Sequence, residues 1–197
     1  MLRPLQLVVF QILDKAVEYE WTMQGFGLLR MYIKDKARLH IWDDRLEYPN
    51  VSKIHNHSWD LKSTIISGRL FNIQYQKVDD SLNKPTHWHS RFVCGLNTKQ
   101  LAEPEAVILK RGFSERYEPG QTYSQKAEEI HLTEADRGTI TLMERQLDGA
   151  FGEADLFWSI DKEWGTAKPE IADKETIHKC CGFAMKRLEK EIGSAGL

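Results

Sequence analysis

About ten short β-prone runs, each closed by a turn, lie between two helical ends, and this succession limits the folds open to the chain. The runs cover 28–33, 38–42, 64–66, 70–75, 88–96, 106–109, 122–125, 130–133, 139–143 and 156–158. They are rich in Ile, Thr, Tyr, Phe and Trp, the residues that suit a pleated, half-buried surface. Turn signals separate them: Asp43, Asp44, Pro49 and Asn50, then Gly68, then Asn83 and Pro85, then 116–120, then Arg137 and Gly138.

The ends have a different period. Pro4 suits a first helical turn, and Leu5, Val9, Ile12, Leu13 and Ala16 recur at helical spacing until Gly25 and Gly27 break the pattern. Near the other end Asp173 is a suitable N-cap, and Ile177, Cys181, Ala184, Leu188 and Ile192 form one apolar stripe. The stripe predicts a helix facing the core. No repeat, low-complexity segment or linker divides the chain, so residues 1–197 read as one domain. Its parts are an N-terminal helix over 1–22, a β-barrel over 24–160 and a C-terminal helix over 173–193. The expected fold class is all-β, a double-sheet barrel of the jelly-roll kind with flanking helices.

A formal charge of −2 and a pI near 6.4 give no footprint for nucleic acid. Basic pairs such as Lys110-Arg111 and Lys186-Arg187 read as solvated surface. The three cysteines, Cys94, Cys180 and Cys181, cannot make a framework of paired disulfides. Cys180 and Cys181 are adjacent in a helical pattern and are expected to face different directions. A reducing, cytoplasmic setting is expected. The apolar run from Leu5 to Leu13 lacks a cleavage site and meets Asp14 and Lys15 at once. No apolar stretch reaches the ~18 residues that span a bilayer, so no membrane partner is expected.

The chemistry-bearing stretch is His55-Asn56-His57, followed by the β-branched run Thr64-Ile65-Ile66 and Gly68. In a strand, residues i and i+2 share a face. His55 and His57 would then project together, and their ring nitrogens could meet at one ion. A His-bearing strand, a short link, a second strand and a glycine turn predict a metal-bearing hairpin. His87-Trp88-His89 repeats the spacing beside a loop, with no glycine turn at a matching distance. Its histidines are read as surface or substrate-contact residues.

His55, His57 and Gly68 match the first motif of the cupin superfamily, and the chain resembles that superfamily from Val51 to Met143. The motif's acid is absent: Leu61 or Lys62 stands at its position, with Asp60 one residue short, and Pro49 stands at that of the opening glycine. In the second motif Gly120 and His131 match, while Lys126, Glu128 and Ala135 replace its Pro, Gly and Asn. The resemblance implies a jelly-roll barrel with a metal held by His55, His57 and His131. Three-histidine sites of this kind are similar to those of thiol dioxygenases and some diketone-cleaving dioxygenases. The implied cofactor is a divalent ion, Fe(II) first, with Zn, Ni, Mn or Cu as alternatives. The implied partner is a small-molecule substrate, and the outer helices and barrel edges are compatible with a homodimer. A non-catalytic ligand-binding module and a metal-dependent isomerase or lyase are the competing functions.

Parity suggests further residues. Lys53 shares the face of His55 and His57, and Glu129 and Thr133 share that of His131. Glu129 is a candidate partner for a ligand imidazole or a fourth ligand, against a solvated glutamate at a turn. Tyr123 and Gln125 are candidates to line the cavity, with Tyr123 orienting a substrate, against an ordinary half-buried core tyrosine. Trp59 and Trp88 are read as packing residues.

Overall fold

Alternation gives each strand two faces, and what covers each face decides the architecture of this chain. The computed structural model describes residues 2–25, 27–33, 37–46, 53–79, 82–93, 99–146, 152–162 and 169–194. Helix α1 (Leu2–Asp14) and a short 3-10 turn (Ala16–Glu18) come first. Strands β1 (Thr22–Gln24), β2 (Leu28–Ile33), β3 (Ala37–Trp42), β4 (Ile54–His55), β5 (Asp60–Ser67), β6 (Leu70–Val78) and β7 (His87–Val93) follow. Then come β8 (Lys99–Gln100), β9 (Glu105–Tyr117), β10 (Thr122–Gln125), β11 (Ile130–Ala135), β12 (Thr139–Gln146), β13 (Glu153–Ser159) and β14 (Glu170–Ile171). Helix α2 (Lys174–Ser194) ends the described chain.

The strands form two seven-stranded sheets, ordered β10-β5-β12-β3-β2-β1-β14 and β13-β4-β11-β6-β9-β7-β8. In the second sheet β13 also pairs with β7, so six strands close into a barrel. The molecule is thus mostly β, with a closed barrel and a helix at each end.

Three apolar clusters define the layers. Leu29, Met31, Leu39, Ile41, Ile66 and Ile140 of the first sheet bury against Val9 and Leu13 of α1 and Ile177, Cys181, Ala184 and Leu188 of α2. Their strand neighbours of opposite parity, including Leu28, Trp42, Ile65 and Met143, pack with Leu70 and Tyr123. Val107, Leu109 and Phe157, joined by Ile54, Tyr75 and Ile130, form a third cluster made wholly by barrel strands. The first sheet therefore carries helices on one side and meets the barrel on the other.

Several expectations change in detail. The helix expected over 1–22 stops at Asp14. Trp21 is fully buried and donates its indole N–H to the Ala16 carbonyl at 2.9 Å, which turns the chain off the helix and into β1. The strand expected at 106–109 extends over Glu105–Tyr117, because its partner β6 continues alongside to Leu70↔Tyr117. The strand expected over 88–96 is described as His87–Val93; its remainder and Cys94 lie outside the described residues.

The expected metal-bearing hairpin is corrected. β4 pairs with β11 and β13, while β5 pairs with β10 and β12. The short link after His57 crosses from one sheet to the other instead of turning a hairpin. Gly68 does close β5, at φ +83°, where an added Cβ would run into Thr139. The C-terminal helix starts as expected, with Asp173 Oδ1 accepting the Thr176 backbone N–H at 2.7 Å. Cys180 and Cys181, expected to face different directions, are both buried. Both are 1% exposed, because the face of α2 covered by the first sheet and α1 is wide enough to take both.

Candidate metal centre

Two of the three candidate histidines meet through strand register. β11 lies antiparallel to β4 with His131 directly opposite His55, and opposite residues in such a pair have Cβ atoms only ~5 Å apart. Their neighbours Ile54 and Ile130 join the cluster made by the barrel strands. Alternation therefore turns His55 and His131 out of the barrel toward the first sheet.

His57 reaches the same point by a different route from the expected one. β4 ends at His55, so the two histidines do not share a strand. Asn56 between them is clamped instead. Its backbone N–H donates to Asp155 O at 3.1 Å and its side-chain amide to Asp155 Oδ2 at 2.8 Å. Asp155 N–H returns a bond to Asn56 Oδ1 at 2.6 Å. The His57 N–H then donates to Ala127 O at 3.0 Å. Fixed on both sides, His57 points back at the other two. Ring centroids lie 4.7 Å (55–57), 4.8 Å (55–131) and 5.1 Å (57–131) apart, and one ligand atom from each residue falls within 4.8 Å of the others.

The hydrogen bonds behind the rings select the nitrogens that face inward. His55 Nδ1 lies 3.0 Å from the Lys53 carbonyl, which can only accept, so Nδ1 donates and Nε2 carries the lone pair. His131 Nδ1 lies 2.8 Å from Asn72 Oδ1, with the same consequence. Asn72 is held in that orientation because its amide donates to Gln125 Oε1 at 2.9 Å. Gln74 donates to the same oxygen at 3.0 Å, and Gln125 in turn donates to the Glu129 carbonyl at 3.3 Å. His57 Nε2 stands 3.0 Å from His131 Nε2. Two nitrogens ~2.1 Å from one ion and at right angles would lie ~3.0 Å apart. The three histidines therefore fit a divalent metal, and among the described residues no Asp or Glu belongs to the group.

Burial keeps these rings neutral. It holds His57 and His131 well below the usual histidine range, with the neighbouring His55 adding to the effect. Burial also lowers His55, opposed by its bond to the Lys53 carbonyl. Neutral imidazole is the metal-binding form.

The other candidates take different places. Glu129 is exposed and its carboxylate accepts the Lys126 backbone N–H at 2.8 Å, because β11 begins only at Ile130 and strand parity does not reach back to 129. Tyr123 is buried in the second apolar cluster, 4.8 Å from the Tyr117 ring, with its hydroxyl bonded to Ser63 and Thr133. The Lys53 side chain is exposed, and Lys53 contributes through its carbonyl. Asp60 is occupied by Lys126 Nζ at 2.6 Å and the Ala127 N–H at 2.9 Å. Leu61 is buried in the second cluster and Lys62 is exposed, so the superfamily's acid has no counterpart on this strand.

His87 and His89 stay apart from the centre. His89 Nδ1 and Nε2 each lie 2.8 Å from a carboxylate oxygen, of Glu105 and Asp155 respectively. The sequence reading missed Asn72, Asn56 and Asp155. A signal existed for the first: Asn72 and Gln74 alternate with apolar residues on a strand that begins at Leu70, which puts amides on an inward face. No protein-family model matches this chain, and no curated protein does.

Proposed function

We propose that the chain is a metal-dependent cupin-type enzyme that oxygenates a small molecule, with the ion held by His55, His57 and His131. The donor set carries this reading: three neutral imidazoles converge with no carboxylate among them. Imidazole sites suit Fe, Zn, Cu and Ni, and three protein ligands leave positions for substrate and O2. Fe(II) bound there supplies Lewis acidity and one-electron chemistry toward O2. For a thiol, the overall change is RSH + O2 → RSO2H, with sulfur oxidised by four electrons and both oxygen atoms transferred.

The chain's own residues prepare the site. Lys53 and Asn72 hold two imidazoles with Nε2 inward, so no rotation is needed when the ion arrives. The Asn56–Asp155 clamp fixes the third. Trp59, 5.6 Å from the His57 ring, belongs to an apolar cluster with Leu61, Ile65 and Met143 that limits water beside the centre. The antiparallel two-sheet architecture with a closed barrel supports the jelly-roll part of the reading.

The test is metal analysis of the purified protein, followed by oxygen uptake with a panel of small thiols and β-diketones. Fe(II)-loaded protein should consume O2 with at least one of them. The Zn(II) form and His131→Ala should not, because zinc has no accessible redox change. Equal background uptake in all three would sink the dioxygenase. Ligand binding without turnover would then favour the binding module.

A further inference from the structure

Two helices pack on the same face of the first sheet, and their outer sides differ. Val9 and Leu13 of α1, with Ile177, Cys181, Ala184 and Leu188 of α2, bury into one cluster. On its other side α2 exposes Lys179, Lys186, Glu189 and Lys190, as a solvated helix does. α1 instead exposes Pro4, Leu7, Val8 and Gln11, and no charged residue stands between Arg3 and Asp14. Leu7 is 49% and Val8 52% exposed, and Phe10, one turn on from Leu7, is half-buried. An exposed apolar helix face of this kind marks a surface that is covered by something else.

The two charges that bound this face are placed against their own helix. Aligned peptide units make a helix positive at its N-terminal end and negative at its C-terminal end, so acids suit the first turn and bases the last. α1 has no acid in its first turn and no base in its last. It carries Arg3 in the first turn and Asp14 as its final residue, both exposed. Among the described residues neither makes an ion pair. The step from Arg3 to Asp14 is about three full turns, ~16 Å along the axis, so both lie on one side with Leu7 between them. An antiparallel copy of the same helix corrects both mismatches at once. Each Arg3 then meets the partner's Asp14 at the negative end of the partner's helix, and each Asp14 meets the partner's Arg3 at its positive end.

We infer that α1 is the interface of a symmetric dimer, in which it packs antiparallel against the same helix of a second copy. The pairing that joins Arg3 to the partner's Asp14 sets Leu7 over the partner's Phe10 and brings Val8 beside the two-fold axis. Such a surface is self-complementary, as two-fold symmetry requires. A helix pair ~20 Å long covers less than a standard interface, so the dissociation constant is expected on the order of micromolar. The face lies across the first sheet from the three histidines, and the inference does not depend on the proposed reaction.

The experiment is sedimentation equilibrium of the full chain at low ionic strength, from about 1 to 300 µM. The mass should rise with concentration from the 22.9 kDa of one chain to twice that value. Leu7→Glu should weaken association at least about tenfold, because it buries a carboxylate in each copy. Arg3→Glu and Asp14→Lys should each weaken it about as much when alone, since each sets like charges opposite one another at both ends. An equimolar mixture of these two variants should dimerise like the wild type, because the mixed pair regains opposite charges at both ends. A wild type that stays monomeric overturns the dimer, and its binding to phosphatidylcholine vesicles would then give the face to a lipid surface. A dimer kept in full by Leu7→Glu overturns α1 as the interface. Charge variants that associate as well alone as the wild type, or whose mixture gains nothing, overturn the antiparallel pairing.

Discussion

The pair His55 and His57 and the pair His87 and His89 share a spacing in sequence, and their surroundings differ in the carboxylates that reach them. Beside the first pair stand a backbone carbonyl, at His55, and a third imidazole, at His57, which is itself bonded to a side-chain amide. His89 lies between Asp155 and Glu105 and stacks on Phe157 at 4.7 Å. Asp155, with help from Glu105, holds its pKa above the usual histidine value against the effect of burial. Glu105 is pulled down to about 2 by Lys77 and His89. Burial pushes the Asp155 carboxyl up, but His89, Arg91 and Asn56 overcome it and leave it well below the usual range. One region keeps imidazoles neutral and able to bind a metal; the other makes an imidazolium whose two nitrogens are both committed. Spacing brings histidines to a face, and the neighbouring acceptors decide what they can do there.

Removing one histidine from each region gives the sharpest contrast. On the proposed reading, His131→Ala removes one of the three converging imidazoles together with its bond to Asn72, and bound metal should fall below about a tenth of the wild-type content. His89→Ala should leave metal content near one ion per chain, as should His178→Ala on the exposed side of α2. Elemental analysis after dialysis reads all three. Loss of metal in His89→Ala and its retention in His131→Ala would reverse the assignment of the two regions.

The grouping of His55, His57 and His131 was legible in the sequence, the first two from their spacing and His131 from the resemblance of its surroundings to the second cupin motif. The reason they converge was not. Parity along one strand predicted that His55 and His57 share a face, yet β4 ends between them and the Asn56–Asp155 clamp does the work. That clamp joins residues 99 positions apart, and only the pairing of β4 with β13 brings them together. Parity failed for Glu129 for the same reason, since its strand starts one residue later. The helical ends were legible because their stripes are set by local spacing, whereas the length of β9 depended on a partner strand distant in sequence.

Two substitutions probe how each region is held. Asn72→Leu removes the acceptor behind His131 and frees its tautomer, so metal should bind about 10–100-fold more weakly with the ligands intact. A competition titration against a chromophoric chelator measures this; unchanged affinity would show that Asn72 does not orient the ring. Asp155→Ala acts where the regions touch, since Asp155 bonds both Asn56 and His89. It should lower stability to urea by about 1–3 kcal/mol, with metal affinity falling less than in Asn72→Leu.

The smallest expected effect is a dependence on pH, and the two regions should contribute with opposite sign. His89 binds its proton more tightly folded than unfolded, so its contribution is complete below the unfolded value of 6.5 and fades as pH rises through its raised folded value. Glu105 has the reverse form: its contribution is complete above 4.5 and is lost as pH falls toward about 2. The cluster around His89 should therefore stabilise the fold most between 4.5 and 6.5. His57 and His131 stay neutral when folded, so below 6.5 the unfolded chain takes up protons that the folded chain refuses, and stability falls on the acid side. Urea unfolding of the chelator-treated protein across about pH 5 to 9 separates these terms when wild type is compared with His89→Gln. The stability gap between the two should be widest at the acid end and close as pH rises. A gap that stays constant with pH would mean that His89 is not held as a cation, and the electrostatic difference between the two histidine pairs would then reduce to hydrogen bonding alone.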